Sequence, residues 1–135
     1  MTTERPVRRL DPYAQQFWDF TKEWQFRLQR CSECGKYRWP PAPVCDSCLS
    51  EAFEWTPVSG RGTVLSWVTF QRQYFPEYPP PHRVIMVELE EGPLFISNPV
   101  DLDGAALTDG LPVTLAWAEA HDRFGDYHLP VFRPA

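Results

Sequence analysis

Glycine and long apolar runs are both scarce in this chain, which has seven glycines and fifteen prolines among 135 residues. So much proline favours short strands and stiff loops, and it argues against a helical bundle. No run of about 18 apolar residues occurs and no basic start precedes an apolar stretch, so we expect neither a membrane span nor a signal peptide. The expected compartment is the cytoplasm. The length also excludes a large-fold enzyme of about 250 residues with a second domain.

Charge is distributed unevenly along the chain, whose formal net charge is −5. Residues 1–39 contain eight basic and five acidic residues, whereas residues 40–135 contain five basic and thirteen acidic ones. The larger part of the chain is therefore acidic. Because an acidic body repels phosphate backbones, free nucleic acid is a poor ligand for it.

The four cysteines form two pairs, Cys31 with Cys34 and Cys45 with Cys48, and ten residues separate the pairs. Two thiolates three positions apart on a tight turn bind one metal ion, and a second such turn completes a tetrahedral site. With four protein ligands the metal has no open position, so we predict a structural zinc. Gly35 supplies a left-handed conformation after the first pair, and we do not expect Leu49 to do so after the second.

Other uses of the cysteines are disfavoured. A chain without a secretory signal is expected in a reducing compartment, which argues against disulfides. A thioredoxin-like redox pair needs a βαβ context that this proline-rich stretch lacks. Iron in the same four-thiolate geometry stays open.

Few residues are left for catalysis once the cysteines bind metal. The sequence has three histidines, and neither a nucleophile elbow nor a phosphate-binding loop occurs. Gly60-Arg61-Gly62 lacks the third glycine of a dinucleotide fingerprint and indicates a bend instead. His121 beside Asp122 is a weak acid–base candidate, because such adjacent pairs are usually solvated turns. A stand-alone small enzyme is therefore disfavoured.

The pattern of elements predicts one short helix and a small barrel. Asp11-Pro12 marks a helix start, and the helix is expected to run to Trp24 with aromatic residues on two flanks. One flank, with Trp18, either packs against the domain or contacts a partner. A short strand is predicted at 26–30. Five further strands are predicted at 63–70, 84–89, 94–100, 112–117 and 127–132.

Several motifs, in order, resemble the DUF35 family. They are Phe17-Trp18 on the helix, the run from Leu28 to Gly35, Cys45-Asp46-Ser47-Cys48, Ser59 to Val64, Asp109 to Val113, and Leu129 to Pro134. The resemblance covers nearly the whole chain. It implies a mainly-β fold with an N-terminal helix, a rubredoxin-like zinc ribbon and a five-stranded OB-fold barrel. The segments expected are an arm and helix over 1–25, the ribbon over 26–58 and the OB-fold over 59–135.

The resemblance also implies an accessory subunit without its own catalytic residues. Members of the family pair with thiolase-superfamily proteins or with MaoC-type hydratases and help to hold a CoA thioester. In the steroid-degrading branch the partner is a thiolase-like aldolase that cleaves the CoA-activated side chain by a retro-aldol reaction. A heterotetramer with a partner dimer is expected from symmetry. A hydratase or a condensing thiolase as partner stays an alternative.

A CoA thioester has a phosphate-rich head and an apolar acyl group, so its site needs positive charge at one end and an apolar channel at the other. The candidates for the phosphates are five arginines: Arg5, Arg8, Arg9, Arg27 and Arg30. The candidates for the acyl channel lie on the proline-rich segment 71–83: Tyr74, Phe75 and Tyr78. Solvated arginines and packed aromatics are the competing interpretations. A single-strand-binding OB-fold and zinc-ribbon module is an alternative of another class, disfavoured by the acidic charge.

Overall fold

The computed structural model describes residues 3–135 and contains, within that range, one α-helix and nine strands. Helix α1 spans Pro12–Lys22. The strands are β1 Thr3–Glu4, β2 Arg27–Cys31, β3 Tyr37–Arg38, β4 Phe53–Pro57, β5 Arg61–Phe70, β6 His82–Leu89, β7 Leu94–Ser97, β8 Pro112–Asp122 and β9 Gly125–Pro134. Among residues 3–135 no helix is long and apolar enough to cross a membrane. The first two residues of the predicted segment 1–25 lie outside the described residues.

Helix α1 starts where the sequence predicts and ends two residues earlier. The Asp11 carboxylate accepts hydrogen bonds from the backbone N–H groups of Tyr13 and Ala14, as an N-cap does. The prediction that the helix reaches Trp24 is wrong, because Trp24 has a φ of 60° and leaves the helical path. Its indole then stacks on the His128 ring, with the ring centroids 3.5 Å apart.

A small antiparallel sheet, with strand order β3-β2-β4, carries the cysteine-rich segment. The predicted strand 26–30 is found at Arg27–Cys31, and it pairs with β4 along its whole length. Strand β4 was not expected. It lies between the cysteines and the barrel, and it leads the chain from one to the other.

The remaining strands form a sheet in the order β1-β8-β5-β6-β7, with β9 also paired to β8. Strands β5 to β9 make up the predicted five-stranded barrel, which is confirmed and nearly closed. The seam between β7 and β9 is bridged just beyond β7, where Pro99 pairs with Phe132 and the Val100 N–H donates to the Phe132 carbonyl at 2.8 Å. The predicted third barrel strand ends at Ser97 instead of Val100, because the chain turns into this bridge.

Buried side chains from the helix, the ribbon and the barrel meet in one hydrophobic core. Phe17 of α1 is completely buried and packs edge-on against Phe26 at the entrance to β2. Phe26 in turn contacts Phe95 of β7, and Phe95 contacts Phe132 of β9. The helix therefore fixes the zinc ribbon to the barrel through this shared core.

Candidate metal centre and ligand surface

The two cysteine pairs lie on turns with the same backbone hydrogen bonds. In the first turn the Cys31 N–H donates to the Lys36 carbonyl, and the Gly35 N–H donates to the Cys31 carbonyl. In the second turn Cys45, Ser50 and Leu49 repeat this pattern. Gly35 has a φ of 79° and Leu49 has a φ of 64°, so the expectation that Leu49 would avoid the left-handed region is wrong. The second turn adopts the geometry of the first at a steric cost that glycine avoids.

The four Sγ atoms form one cluster, all within 4.8 Å of each other. The Sγ–Sγ distances are 3.5 Å between Cys31 and Cys48 and 3.6 Å between Cys34 and Cys45. A tetrahedral zinc site with Zn–S bonds of 2.3 Å has sulfurs about 3.8 Å apart. Cys31 and Cys45 are buried, whereas Cys34 and Cys48 are exposed. The sulfur atoms therefore fit a tetrahedral metal ion at the edge of the ribbon.

Hydrogen bonds and burial shift the pKa values of three of the thiols, and not all in the same direction. The Cys34 backbone N–H is the main cause that lowers the pKa of Cys31 to about 6, and the Cys48 and Ser47 N–H groups lower the pKa of Cys45. The Ser50 N–H also lowers the pKa of Cys48, but hydrogen bonds to the neighbouring thiols and burial outweigh it and raise that pKa to about 12. A metal ion bound by the sulfurs would favour the thiolate form of Cys48 against this shift, and a zinc ion supplies the positive charge.

The structure places Arg8 in a buried ion pair. Its guanidinium forms two hydrogen bonds to the Asp122 carboxylate, at 2.7 Å and 3.0 Å, and the two side chains are 6% and 0% exposed. The guanidinium also lies over the Tyr127 ring at 3.8 Å. Arg8 thus fastens the N-terminal arm to the barrel through its bonds to Asp122. Trp18 packs edge-on against Tyr127 beside it, which gives this flank of the helix an intramolecular partner.

The adjacent pair His121 and Asp122 does not act as one unit. Asp122 bonds Arg8, whereas the His121 Nδ1 lies 2.7 Å from the Asp126 carboxylate across the β8–β9 turn. The hydrogen bond to Asp126 raises the pKa of His121. The weak acid–base candidate of the sequence is therefore divided between two ion pairs.

The other candidate arginines are separated from the aromatic loop. Arg27 donates to the Gln25 side chain and the Trp55 carbonyl, and Arg30 donates to the Gly35 carbonyl at 3.1 Å. Both belong to the surface of the ribbon, and Arg9 is exposed on the arm. The five arginines therefore do not form one cluster.

The aromatic loop does form a cavity. It encloses about 510 Å³ and is lined by the three predicted residues Tyr74, Phe75 and Tyr78 together with Phe70, Arg72 and His82. Tyr78 stacks on the imidazole of His82 with the ring centroids 4.2 Å apart, and Phe75 contacts Tyr78 edge-on. Tyr74 and Phe75 remain exposed at 66% and 51%. The rings thus line an open apolar cavity and are not packed beneath the prolines.

Arg5 is the one candidate arginine that lies against this cavity. Its Cζ is 5.4 Å from the centre of the Tyr78 ring. Burial, assisted by the Arg5 charge, lowers the pKa of His82. Arg5 also lines a second cleft of about 260 Å³ that includes His82 and Arg83. Sequence reasoning missed His82 and Arg83, although both lie at the end of the aromatic segment, where β6 begins.

An exposed apolar face continues from the aromatic loop. Large apolar side chains on β5 and β7 remain at least 38% exposed: Leu65, Trp67, Val68, Phe70, Leu94 and Ile96. A soluble domain rarely leaves so many neighbouring apolar side chains uncovered unless a partner or ligand binds there. Val68, Phe70 and Ile96 lie on the outward side of the sheet, whereas Trp67 pairs with the buried Ile85 on the other side, so β5 is exposed on both sides from Leu65 to Val68.

Two family models match adjacent parts of the chain. "ChsH2, rubredoxin-like zinc ribbon domain" matches residues 18–54, and "ChsH2, C-terminal OB-fold domain" matches residues 55–118. A solved structure named "Ltp2-ChsH2(DUF35) aldolase" superposes with a TM-score of 0.84 at 32% identity, covering 96% of this chain and 98% of the other.

Curated relatives extend the comparison. The "Probable enoyl-CoA hydratase alpha subunit" of Thermomonospora curvata is 37% identical over 88% of this chain. The "3-oxo-4,17-pregnadiene-20-carboxyl-CoA hydratase alpha subunit" of Mycobacterium tuberculosis is 32% identical over 87%. This chain spans only 37% and 36% of the length of these two proteins. A "DUF35 domain-containing scaffold protein" of Pyrococcus furiosus is 29% identical over 73% of this chain and 74% of its own length. The chain therefore belongs to the DUF35 family and has the zinc-ribbon and OB-fold architecture of the ChsH2 domain models.

Proposed function

We propose that this chain is a non-catalytic accessory subunit that binds a thiolase-superfamily partner and helps to hold a CoA thioester at the shared interface. The reaction proposed for the complex is the retro-aldol cleavage of a steroid side-chain acyl-CoA. The partner supplies the acid and the base. The segments proposed for these roles are the arm and helix over 1–25, the ribbon over 26–58 and the OB-fold over 59–135.

The exposed apolar face of β5 and β7 is the observation that carries this proposal. It lies next to an open cavity lined by Tyr74, Phe75 and Tyr78. A partner that covers the face would also close the cavity, and a ligand in the cavity would then contact both proteins. The bulky rings suit a large acyl group. The similarity to the Ltp2-ChsH2(DUF35) aldolase favours an aldolase as the partner.

The ionisable side chains of the described residues support an accessory role. The four cysteines form the metal cluster, and each histidine has an intramolecular contact. His82 stacks on Tyr78, His121 bonds Asp126, and the His128 Nδ1 lies 2.9 Å from the Thr21 carbonyl. Zinc fits the four sulfurs as a structural ion whose coordination the protein completes, and it holds the two turns together.

A hydratase is the second candidate partner. The names of the two bacterial relatives, both hydratase alpha subunits, favour it. This chain covers little more than a third of each, so the similarity concerns one part of those proteins. A hydratase as the partner would retain the acyl-CoA role and change the reaction.

The test is affinity isolation of the tagged full chain from its native cells, followed by assays of the isolated complex with CoA thioesters. We expect a thiolase-like partner in equal amount, two copies of this chain per partner dimer, and retro-aldol cleavage of a steroid acyl-CoA. Val68→Glu on the apolar face should release the partner. Phe124→Glu changes an exposed ring at the β8–β9 turn and is the matched control.

Recovery of nucleic acid alone, or of no partner, contradicts the proposal. A hydratase recovered in equal amount replaces the aldolase as partner and retains the accessory role. Release of the partner by both substitutions would contradict the assigned face, because the control lies elsewhere on the barrel.

A further inference from the structure

The cleft beside the aromatic loop combines the arm with the open end of the barrel. It measures about 260 Å³ and lies between Arg5 on the arm and Arg83 on β6. The other lining residues include His82 and Asn98. No aspartate or glutamate is among these lining residues, although the chain carries a net charge of −5. Positive charge is therefore concentrated here against the trend of the whole chain.

Both arginines carry a buried nitrogen without a hydrogen-bond partner. Within residues 3–135, the Nε atoms of Arg5 and Arg83 are inaccessible to solvent, and neither donates a hydrogen bond to an acceptor. A buried N–H without an acceptor is energetically unfavourable. Arg8 provides the contrast, because its Nε donates to Asp122 at 2.7 Å. Both guanidinium groups therefore border the cleft with hydrogen-bonding capacity that the described residues leave unused.

The surroundings hold the two guanidinium groups without neutralising them. Arg5 lies over the Tyr78 ring, and the Asn98 amide donates to the Arg83 carbonyl at 2.8 Å. A Cβ on Gly104 would come within 3.0 Å of the Arg83 Nε, so the guanidinium rests against that glycine. The neighbouring Asp103 carboxylate accepts from the Ala106 N–H instead. Among the ion pairs of the described residues, none includes Arg5 or Arg83.

The cleft is joined to the apolar cavity through shared residues. His82 lines both, and Arg5 of the cleft contacts Tyr78 of the cavity. Only the Tyr78 and His82 rings would thus separate an anionic group bound in the cleft from an apolar group bound in the cavity. This arrangement suits a ligand that carries phosphate at one end and an apolar chain at the other.

We propose that Arg5 and Arg83 form a phosphate-binding site, in which their guanidinium groups donate to phosphate oxygens of a ligand whose apolar part occupies the Tyr78 cavity. Arginine is suited to this role because its planar, permanently charged group donates in a fork that matches phosphate. The identity of the ligand as a CoA thioester rests on the proposed function. The pairing of Arg5 with Arg83 rests on the cleft itself.

The test is NMR titration of the full chain labelled with ¹⁵N, following the arginine Nε–H resonances. Inorganic pyrophosphate and CoA are the two probes. We expect both probes to shift the Arg5 and Arg83 resonances and to leave that of Arg133 unchanged. CoA should bind about tenfold more tightly than pyrophosphate, because its arm also buries apolar surface in the cavity. This measurement uses the unaltered protein and needs no variant to fold.

Substitutions then assign the site. Arg5→Gln and Arg83→Gln should each weaken binding of both probes about tenfold, since each removes a charge-assisted hydrogen bond. Arg83→Lys keeps the charge and should lose part of the affinity. Arg133→Gln, at an exposed position on β9, is the matched control and should change binding less than about twofold. Zinc content and far-UV circular dichroism verify that each variant is folded.

Three outcomes overturn the inference. If neither probe shifts the two resonances, or if Arg133→Gln weakens binding as much as Arg83→Gln, the cleft is not a phosphate site. If pyrophosphate binds as tightly as CoA, the assignment to an amphiphilic ligand fails. Isolation of the partner distinguishes failure of the phosphate site from failure of the proposed function. The Arg83→Gln variant should still co-purify with the partner. A titration dependent on Arg83 without any partner would retain the site and reject the subunit role.

Discussion

The cysteine turns and the aromatic loop are both irregular segments of this molecule, and they are held in opposite ways. In the cysteine turns, matching backbone hydrogen bonds direct four sulfurs to one point, and two of those cysteines are buried. In the aromatic loop the main contacts are between rings, and Tyr74 and Phe75 stay exposed. The first segment thus forms its contacts within the chain, whereas the second leaves contacts available to another molecule.

The largest effect on stability is expected from removing one of the four sulfur ligands of the cysteine turns. Cys45→Ser is expected to lower the zinc content from about one ion per chain to near zero and to unfold the ribbon, because a structural zinc site supplies folding energy. Metal analysis and thermal unfolding measure both effects. Ser47→Ala, between the two ligands of the same turn, is the control. A Cys45→Ser protein that retains its zinc and its melting temperature would contradict a four-sulfur metal site.

The second-largest loss of stability is expected from breaking the buried ion pair between Arg8 and Asp122. Arg8→Ala leaves the Asp122 carboxylate buried without its partner and is expected to cost about 3 kcal/mol of unfolding free energy. Arg9→Ala, its exposed neighbour on the arm, should cost less than about 0.5 kcal/mol. Denaturant unfolding compares the two. Equal losses would show that the arm is held by something other than the Arg8 pair.

Lowering the pH should weaken the ion pair between Arg8 and Asp122 over a defined pH range. Hydrogen bonds from Arg8 lower the pKa of Asp122 from 3.8 to about 2. A carboxyl with a depressed pKa stabilises the folded state above its unfolded pKa, and this contribution is lost as the pH falls through its folded pKa. We therefore expect the extra stability to decline between about pH 4 and pH 2. Asp122→Asn should show a smaller decline over that range, and an identical pH profile would contradict the assignment.

The smallest effect on stability should come from the aromatic loop. Tyr74→Ala with Phe75→Ala removes exposed rings and is expected to change unfolding free energy by less than about 1 kcal/mol, with zinc retained. Turnover of the complex should fall, because these rings line the proposed acyl cavity. Leu49→Ala removes an exposed apolar side chain from the ribbon and is the control for turnover. Unchanged turnover in the double variant would remove the loop from the site.

Sequence predicted most of the fold because its signals are local. The cysteine spacing, the Asp11 cap and the strand-like runs of the barrel each depend on a few neighbouring residues. Leu49 shows the limit of such signals, since its left-handed conformation follows from the second cysteine turn and not from its own preference. The two-residue strands β1 and β3 exist only through their pairing partners, so no periodicity reveals them.

The candidate ligand site was harder to predict than the metal site. Spacing in sequence brings the cysteines together, but Arg5 and Arg83 meet only after the arm has crossed the barrel. The sequence grouped Arg8 with Arg5 because both are basic residues of the arm. The fold separates them, since Asp122 neutralises one and the cleft has no carboxylate for the other.

The short strand β1 also pairs with a stretch of the β8 edge that β5 leaves open. Strand β8 pairs with β5 only over Pro112–Thr114, and β1 covers part of its far end at Ala120 and His121. An uncovered strand edge offers unpaired backbone groups to another chain, and proteins commonly block such edges. Deleting residues 1–8 would expose this edge and remove the Arg8 anchor together. The truncated protein should then form concentration-dependent oligomers through the end of β8, even while its zinc ribbon stays folded.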